Sequence, residues 1–160
     1  MKLPAVSVLA LCLAGAAFAA VPGPAAGPYD PSLDGWEQLQ AAGSRASHEG
    51  RRVLVVVGGN WCPWCRAVDR LMGTGAGLVA EAARFEVVHL NWSKENRNGE
   101  AMARLGHPEK LGFPSLLVLS PKLEVLAAQA TDVFETGDPK HPAHDPAELL
   151  AFLRRWEPPR

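Results

Sequence analysis

Val53-Leu54-Val55-Val56-Val57-Gly58-Gly59-Asn60-Trp61-Cys62-Pro63-Trp64-Cys65 decides the reading of this chain. Its first five residues are an unbroken, mostly β-branched apolar run, the pattern of a strand covered on both faces. Such a strand belongs at the centre of an α/β sheet. The glycine pair ends it, and the residues from Arg66 to Met72 continue as a helix behind the cysteines. Two thiols separated by two residues, placed where a buried strand gives way to a helix, can close a disulfide and reopen it. That arrangement suits electron exchange better than stapling.

Outward from this junction, the remaining elements follow from period and punctuation. Asp34 with Glu37 three residues later is a capping box, and Trp36, Leu39 and Ala42 to Ala46 carry a helix ending near Gly50. Gly73-Thr74-Gly75 interrupts the helix behind the cysteines, and a second helical piece covers Leu78 to Arg84. Phe85 to Asn91 is a second strand, Ser93 to Asn98 a polar loop, and Glu100 to Leu105 a short helix. Leu116 to Leu119 and Glu124 to Ala128 are strands joined into a hairpin by Ser120-Pro121-Lys122. A loop from Gly137 to Asp145 leads to a last helix, capped by Asp145 and opened by Pro146. The order predicts an α/β domain with a mixed sheet and helices on both faces.

The front end is organised differently. Met1 and Lys2 precede an apolar stretch from Leu3 to Phe18, and Ala17-Phe18-Ala19 offers a small-x-small cleavage site. The expected organisation is a signal peptide over residues 1–19, a Pro/Gly-rich linker over 20–31 and a folded domain over 32–160. An uncleaved anchor is the competing reading, but the stretch falls short of the roughly 20 residues that span a bilayer. Cys12 leaves with the signal, so Cys62 and Cys65 remain. Export places the protein in the periplasm, where a lone pair of thiols lives by exchange with partners. Sixteen basic against seventeen acidic residues give a formal charge of -1, and no basic run exceeds two residues, so nucleic acid is not the expected partner.

The chemistry of the pair follows from the helix terminus. Unpaired N–H groups and a partial positive charge stabilise a thiolate there, lowering its pKa from about 8.5 into a range of roughly 3.5 to 7.5. Cys62 is then the attacking nucleophile, and Cys65, one turn deeper, attacks the mixed disulfide and releases product. Pro63 loses no amide proton by standing between them and fixes the first turn. A permanent disulfide and a zinc site are the competitors. Zinc would need about four ligands, drawn from two cysteines and the scattered His48, His89, His107, His141 and His144. His141 and His144 have ligand-like spacing but sit in a Pro-rich loop.

Gly59 to Cys65 at a strand-to-helix junction, followed about fifty residues later by Gly112-Phe113-Pro114-Ser115 before a hairpin, resembles the thioredoxin-like superfamily. The likeness covers Asp34 to Trp156 and is nearest to exported, single-domain thiol-disulfide oxidoreductases. It implies a thioredoxin-like fold, a central mixed β-sheet flanked by helices, and a redox-active Cys62-Cys65 site without a dissociable cofactor. It also implies that Pro114 is cis and presents the Phe113 backbone to a bound substrate, with Trp61, Pro63 and Trp64 completing the surface that substrate meets. For Trp61 a core-packing reading stands beside the substrate reading, while Trp36, Trp92 and Trp156 read as packing residues. Partners would be protein thiols or disulfides and an electron-donor or electron-acceptor protein, with no nucleic acid and no membrane span after signal cleavage.

Two departures from the family pattern stand out. Six residues before the first cysteine, where the family often has a buried aspartate, this chain has Val56. His89 occupies a position on the second strand where reductants often hold a lysine; it is either a substitute proton carrier or an ordinary strand histidine. Pro63-Trp64 matches neither the reductant nor the oxidant dipeptide, so the direction of electron flow stays open. A peptide-binding module with a passive disulfide, and a copper or zinc carrier, are the alternative functions.

Overall fold

The computed structural model describes residues 27–159. Helix α1 (Gly35–Glu49) leads into strand β1 (Arg52–Gly58), then helices α2 (Pro63–Thr74) and α3 (Leu78–Ala82) and strand β2 (Phe85–Asn91). Helix α4 (Gly99–Arg104) precedes the hairpin of β3 (Ser115–Leu119) and β4 (Val125–Ala130), and α5 (Pro146–Arg155) closes the chain. The caps are those the sequence encodes. Asp34 accepts from the Glu37 N–H, Gly50 ends α1 in the left-handed region, and Asp145 accepts from the N–H groups of Ala147 and Glu148.

The sheet order is β2-β1-β3-β4, with β1 parallel to β2 and antiparallel to β3. Strand β1 is central because every side chain from Val53 to Val57 is buried, and a strand without a polar face needs cover on both sides. Val53, Val55 and Val57 pack with Leu39, Ala42 and Ala46 of α1 and with Ala101 and Met102 of α4. Leu54 and Val56 face the other way, onto Val68 and Met72 of α2 and Leu149, Phe152 and Leu153 of α5. Burial of each such aliphatic side chain contributes on the order of 1.5–3 kcal/mol. The two layers hold the β1–α2 junction, and with it the cysteines, in a fixed position.

The structure departs from the sequence reading at several edges. Helix α2 runs through Gly73 and Thr74 before Gly75 ends it with an N–H donated to the Leu71 carbonyl. A helical glycine costs about 1 kcal/mol, less than the inward face of α2 gains from burying Cys65, Val68 and Met72. Strand β4 starts and ends later than expected, and short 3-10 turns form at Pro108–Leu111 and Asp132–Phe134. The expected boundary at Ser32 also moves. Tyr29 is fully buried within the α2-side core, its N–H donating to Asn60 Oδ1 at 3.2 Å and its carbonyl accepting from Asn60 Nδ2 at 2.7 Å. The body therefore includes residues expected to be linker. The expected signal peptide and the rest of the linker, through residue 26, lie outside the described residues.

Candidate active site

Cys62 is the N-cap of α2, in extended geometry, with Pro63 at the first helical position. Its Sγ accepts from the Cys65 N–H at 3.1 Å, so one of the helix's free amides points at the sulfur that would carry negative charge. The two cysteines form a disulfide with Cα atoms 5.2 Å apart. Cys62 keeps 3% of its surface exposed and Cys65 none, which makes Cys62 the sulfur an external thiol reaches.

Across from the disulfide, the Phe113–Pro114 peptide bond is cis, and the Phe113 carbonyl lies 3.7 Å from Cys62 Sγ. The Thr131 hydroxyl occupies the Pro114 carbonyl at 2.7 Å, so the unclaimed backbone next to the disulfide belongs to Phe113. Trp61 is half exposed, at 52%, and stands edge-on to Phe113 with ring centroids 5.5 Å apart. Its indole N–H donates to the Trp92 carbonyl at 2.8 Å, and Trp92 in turn packs against Phe113 in a tilted arrangement with centroids 4.9 Å apart. The three rings form an apolar platform beside the cysteines. A groove of about 410 Å³, lined by Trp61, Trp92, Lys94 and Glu95, continues from it.

Behind the disulfide, three polar side chains meet. His89 Nε2 lies 3.0 Å from Asp69 Oδ1, at ion-pair distance but without hydrogen-bond alignment. Tyr29 packs edge-on against the His89 ring, centroids 5.3 Å apart. Burial pulls the His89 pKa below its ordinary value, and neighbouring Asp69 only partly opposes this, so the imidazole is neutral near pH 7. The Tyr29 hydroxyl is pushed well up, first by burial and then by the Asp69 charge. On the opposite flank, buried His144 stands edge-on to Trp64 at 5.4 Å, and burial lowers its pKa as well.

A sequence profile described as thioredoxin-like matches residues 35–121. The chain belongs to this thioredoxin-like family. Among solved structures it is similar to a disulphide isomerase from Xylella fastidiosa Temecula1, with 26% identity, a TM-score of 0.66, and coverage of 80% of this chain and 95% of that one. A structure described as DsbH oxidoreductase is 16% identical over 71% of this chain and 77% of that one, with a TM-score of 0.47. No curated protein sequence matches it.

In this thioredoxin-like protein the structure brings Cys62, Cys65, Trp61, Pro63, Trp64, Phe113 and Pro114 to one end of the sheet, while His89 sits behind them. Trp92, read from the sequence as packing, does pack against the core and also joins the platform beside Trp61 and Phe113. Asp69 was missed, although it stands four residues beyond Cys65 and so shares its helix face. Tyr29 was missed because four nearby prolines masked it. Of the two histidines with ligand-like spacing, His144 is buried on Trp64, whereas His141 is exposed and faces Asp138. Among the described residues no group of three or more His, Cys, Asp or Glu side chains could hold a metal ion.

Proposed function

We propose that this protein is an exported thiol-disulfide oxidoreductase that exchanges disulfides with partner proteins through Cys62 and Cys65, in the periplasm. The observation that carries the reading is the Cys62 sulfur, capped by a helix amide, barely open to solvent and facing the Phe113 backbone beside cis-Pro114. The printed name of the similar Xylella fastidiosa structure, disulphide isomerase, supports protein disulfides as the substrate class. No described helix is long and apolar enough to cross a membrane.

In one direction a substrate thiolate attacks Cys62 Sγ, the Cys62–Cys65 bond breaks, and its electron pair leaves on Cys65. A second substrate thiolate then displaces Cys62 and carries away the disulfide. In the reverse direction the Cys62 thiolate attacks a substrate disulfide, and Cys65 resolves the mixed disulfide after losing its proton. Neutral His89, held beside Asp69, accepts that proton in the role that Val56 cannot fill. The platform of Trp61, Trp92 and Phe113 holds apolar side chains flanking the substrate cysteine, and Pro63 and Trp64 shape the rim.

Expression of Cys65→Ser in cells tests the reading directly. It should accumulate mixed disulfides on Cys62 that dithiothreitol releases, and the released proteins are the partners. A passive disulfide in a peptide-binding module predicts none, together with a reduction potential below about -300 mV.

A further inference from the structure

The Tyr29 side chain is fully buried, yet among the described residues its hydroxyl has no hydrogen-bond partner. Buried hydroxyls are rarely left so, because an unpaired one gives up its hydrogen bonds to water and gains none in return. Its surroundings explain what it serves. A Cβ placed on Gly58 would lie 3.0 Å from Tyr29 Oη and 2.6 Å from Cys65 Sγ. Phenol oxygen and resolving sulfur thus converge on the same point above the end of β1, in a space that exists because residue 58 has no side chain. Asn60 clamps the Tyr29 backbone from both sides, so the ring is aimed rather than merely packed. A disulfide sulfur is a poor acceptor; a thiolate is a strong one.

We propose that the Tyr29 hydroxyl is the hydrogen-bond donor awaiting the Cys65 thiolate, unsatisfied in the disulfide form and satisfied when the bond opens. This rests on the redox reading of Cys62 and Cys65. When a substrate thiolate attacks Cys62 Sγ, the new S–S bond forms there and the old bond breaks. The released electron pair stays on Cys65, and the Tyr29 O–H turns to it without giving up its proton. Burial and Asp69 keep the phenol protonated, so it is a donor across the working pH range. In reverse, the same hydrogen bond favours ionisation of Cys65 before it attacks the mixed disulfide. Tyr29 therefore stabilises the reduced pair relative to the oxidised one.

Tyr29→Phe keeps the ring and removes the donor. Equilibration with glutathione should move about threefold to tenfold toward the disulfide, where tenfold corresponds to about 30 mV for a two-electron couple. Thermal melting should show the oxidised variant at least as stable as wild type and the reduced variant less stable, a split that a packing role does not produce. Tyr29 is the sole tyrosine of the chain, so biosynthetic 3-fluorotyrosine labels it alone. The more acidic fluorophenol should shift the equilibrium toward the dithiol, and its fluorine resonance should move on reduction. Should Tyr29→Phe not fold, these two fluorotyrosine readouts decide. A wild-type pair that equilibrates while the variant or the fluorotyrosine protein matches it within twofold overturns the assignment of Tyr29 alone. A wild-type pair that glutathione and dithiothreitol leave untouched overturns the redox reading and this assignment with it.

Discussion

His89 Nε2 and Asp69 Oδ1 lie 3.0 Å apart, joining the second strand to the helix that carries Cys65. His89 is the register partner of Val56, so it flanks the position where relatives by resemblance hold a buried acid. The acid beside this position is Asp69, on the helix rather than the strand. It now acts on a histidine whose burial keeps it neutral, with Tyr29 against its ring and Asp30 and Arg45 lining the cleft at the sheet edge beside it.

Removing His89, the proposed proton acceptor, should slow the resolving step selectively. His89→Ala is expected to slow release of the mixed disulfide on the order of 10²-fold above the lowered pKa of the histidine, where the wild-type imidazole is neutral. Below that pKa the wild type loses its acceptor too, and the gap should close. Attack by Cys62 should change little. Single-turnover exchange between pH 5 and 9 resolves the two steps, with Val56→Asp as a rescue. A variant indistinguishable from wild type at every pH leaves His89 as a strand residue only.

Stability should fall on mild acidification for a related reason. His89 and His144 both have pKa values lowered by burial, so below about pH 6.5 the unfolded chain binds protons that the folded one refuses. Stability rises with pH through that window, by at most about 1.4 kcal/mol per pH unit for each histidine. Urea melts of His144→Phe against wild type from pH 5 to 7.5 check this. The variant should show a shallower slope, while equal slopes contradict the direction inferred for His144.

Trp61→Ala removes the exposed ring of the aromatic platform without touching the cysteines. Loss of one aromatic contact worth about 0.5–1.5 kcal/mol should raise KM for a protein disulfide roughly two- to tenfold. Reduction by dithiothreitol, which has nothing to stack, should be unchanged. An equal effect on both reagents would place Trp61 among the residues that hold the disulfide itself.

Asn60→Ala tests whether the segment carrying Tyr29 is part of the folded body. It deletes two hydrogen bonds to the Tyr29 backbone, a loss of about 1–3 kcal/mol in denaturant melts. Tyrosine fluorescence comes from this one side chain and should become more accessible to quenchers. No change in either would return the segment to the role of linker.

Much of the fold was legible because its signals are local. The run from Val53 to Val57 has no polar face, the pattern of a central strand, and Asp34, Gly50 and Asp145 mark helix ends through hydrogen bonds to their own neighbours, while Pro146 stands at a first helical position that needs no N–H. The Cys62-Pro63-Trp64-Cys65 motif was legible as a redox pair from its spacing, its place at a strand-to-helix junction and the resemblance it carries. Helix α2 outran its glycine because burial of its inner face outweighs propensity, a balance that no seven-residue window contains.

What the sequence by itself determined is therefore the strand, the helix start, and the pair of thiols at their junction. Only the tertiary structure decided which residues from elsewhere meet them. Trp92 joins Trp61 and Phe113, Asp69 meets His89, and the Tyr29 hydroxyl and Cys65 Sγ converge on the bare backbone of Gly58. These contacts depend on packing two layers against one sheet. Side chains distant in the chain share a site because burying apolar area brings their elements together, and no local period records that.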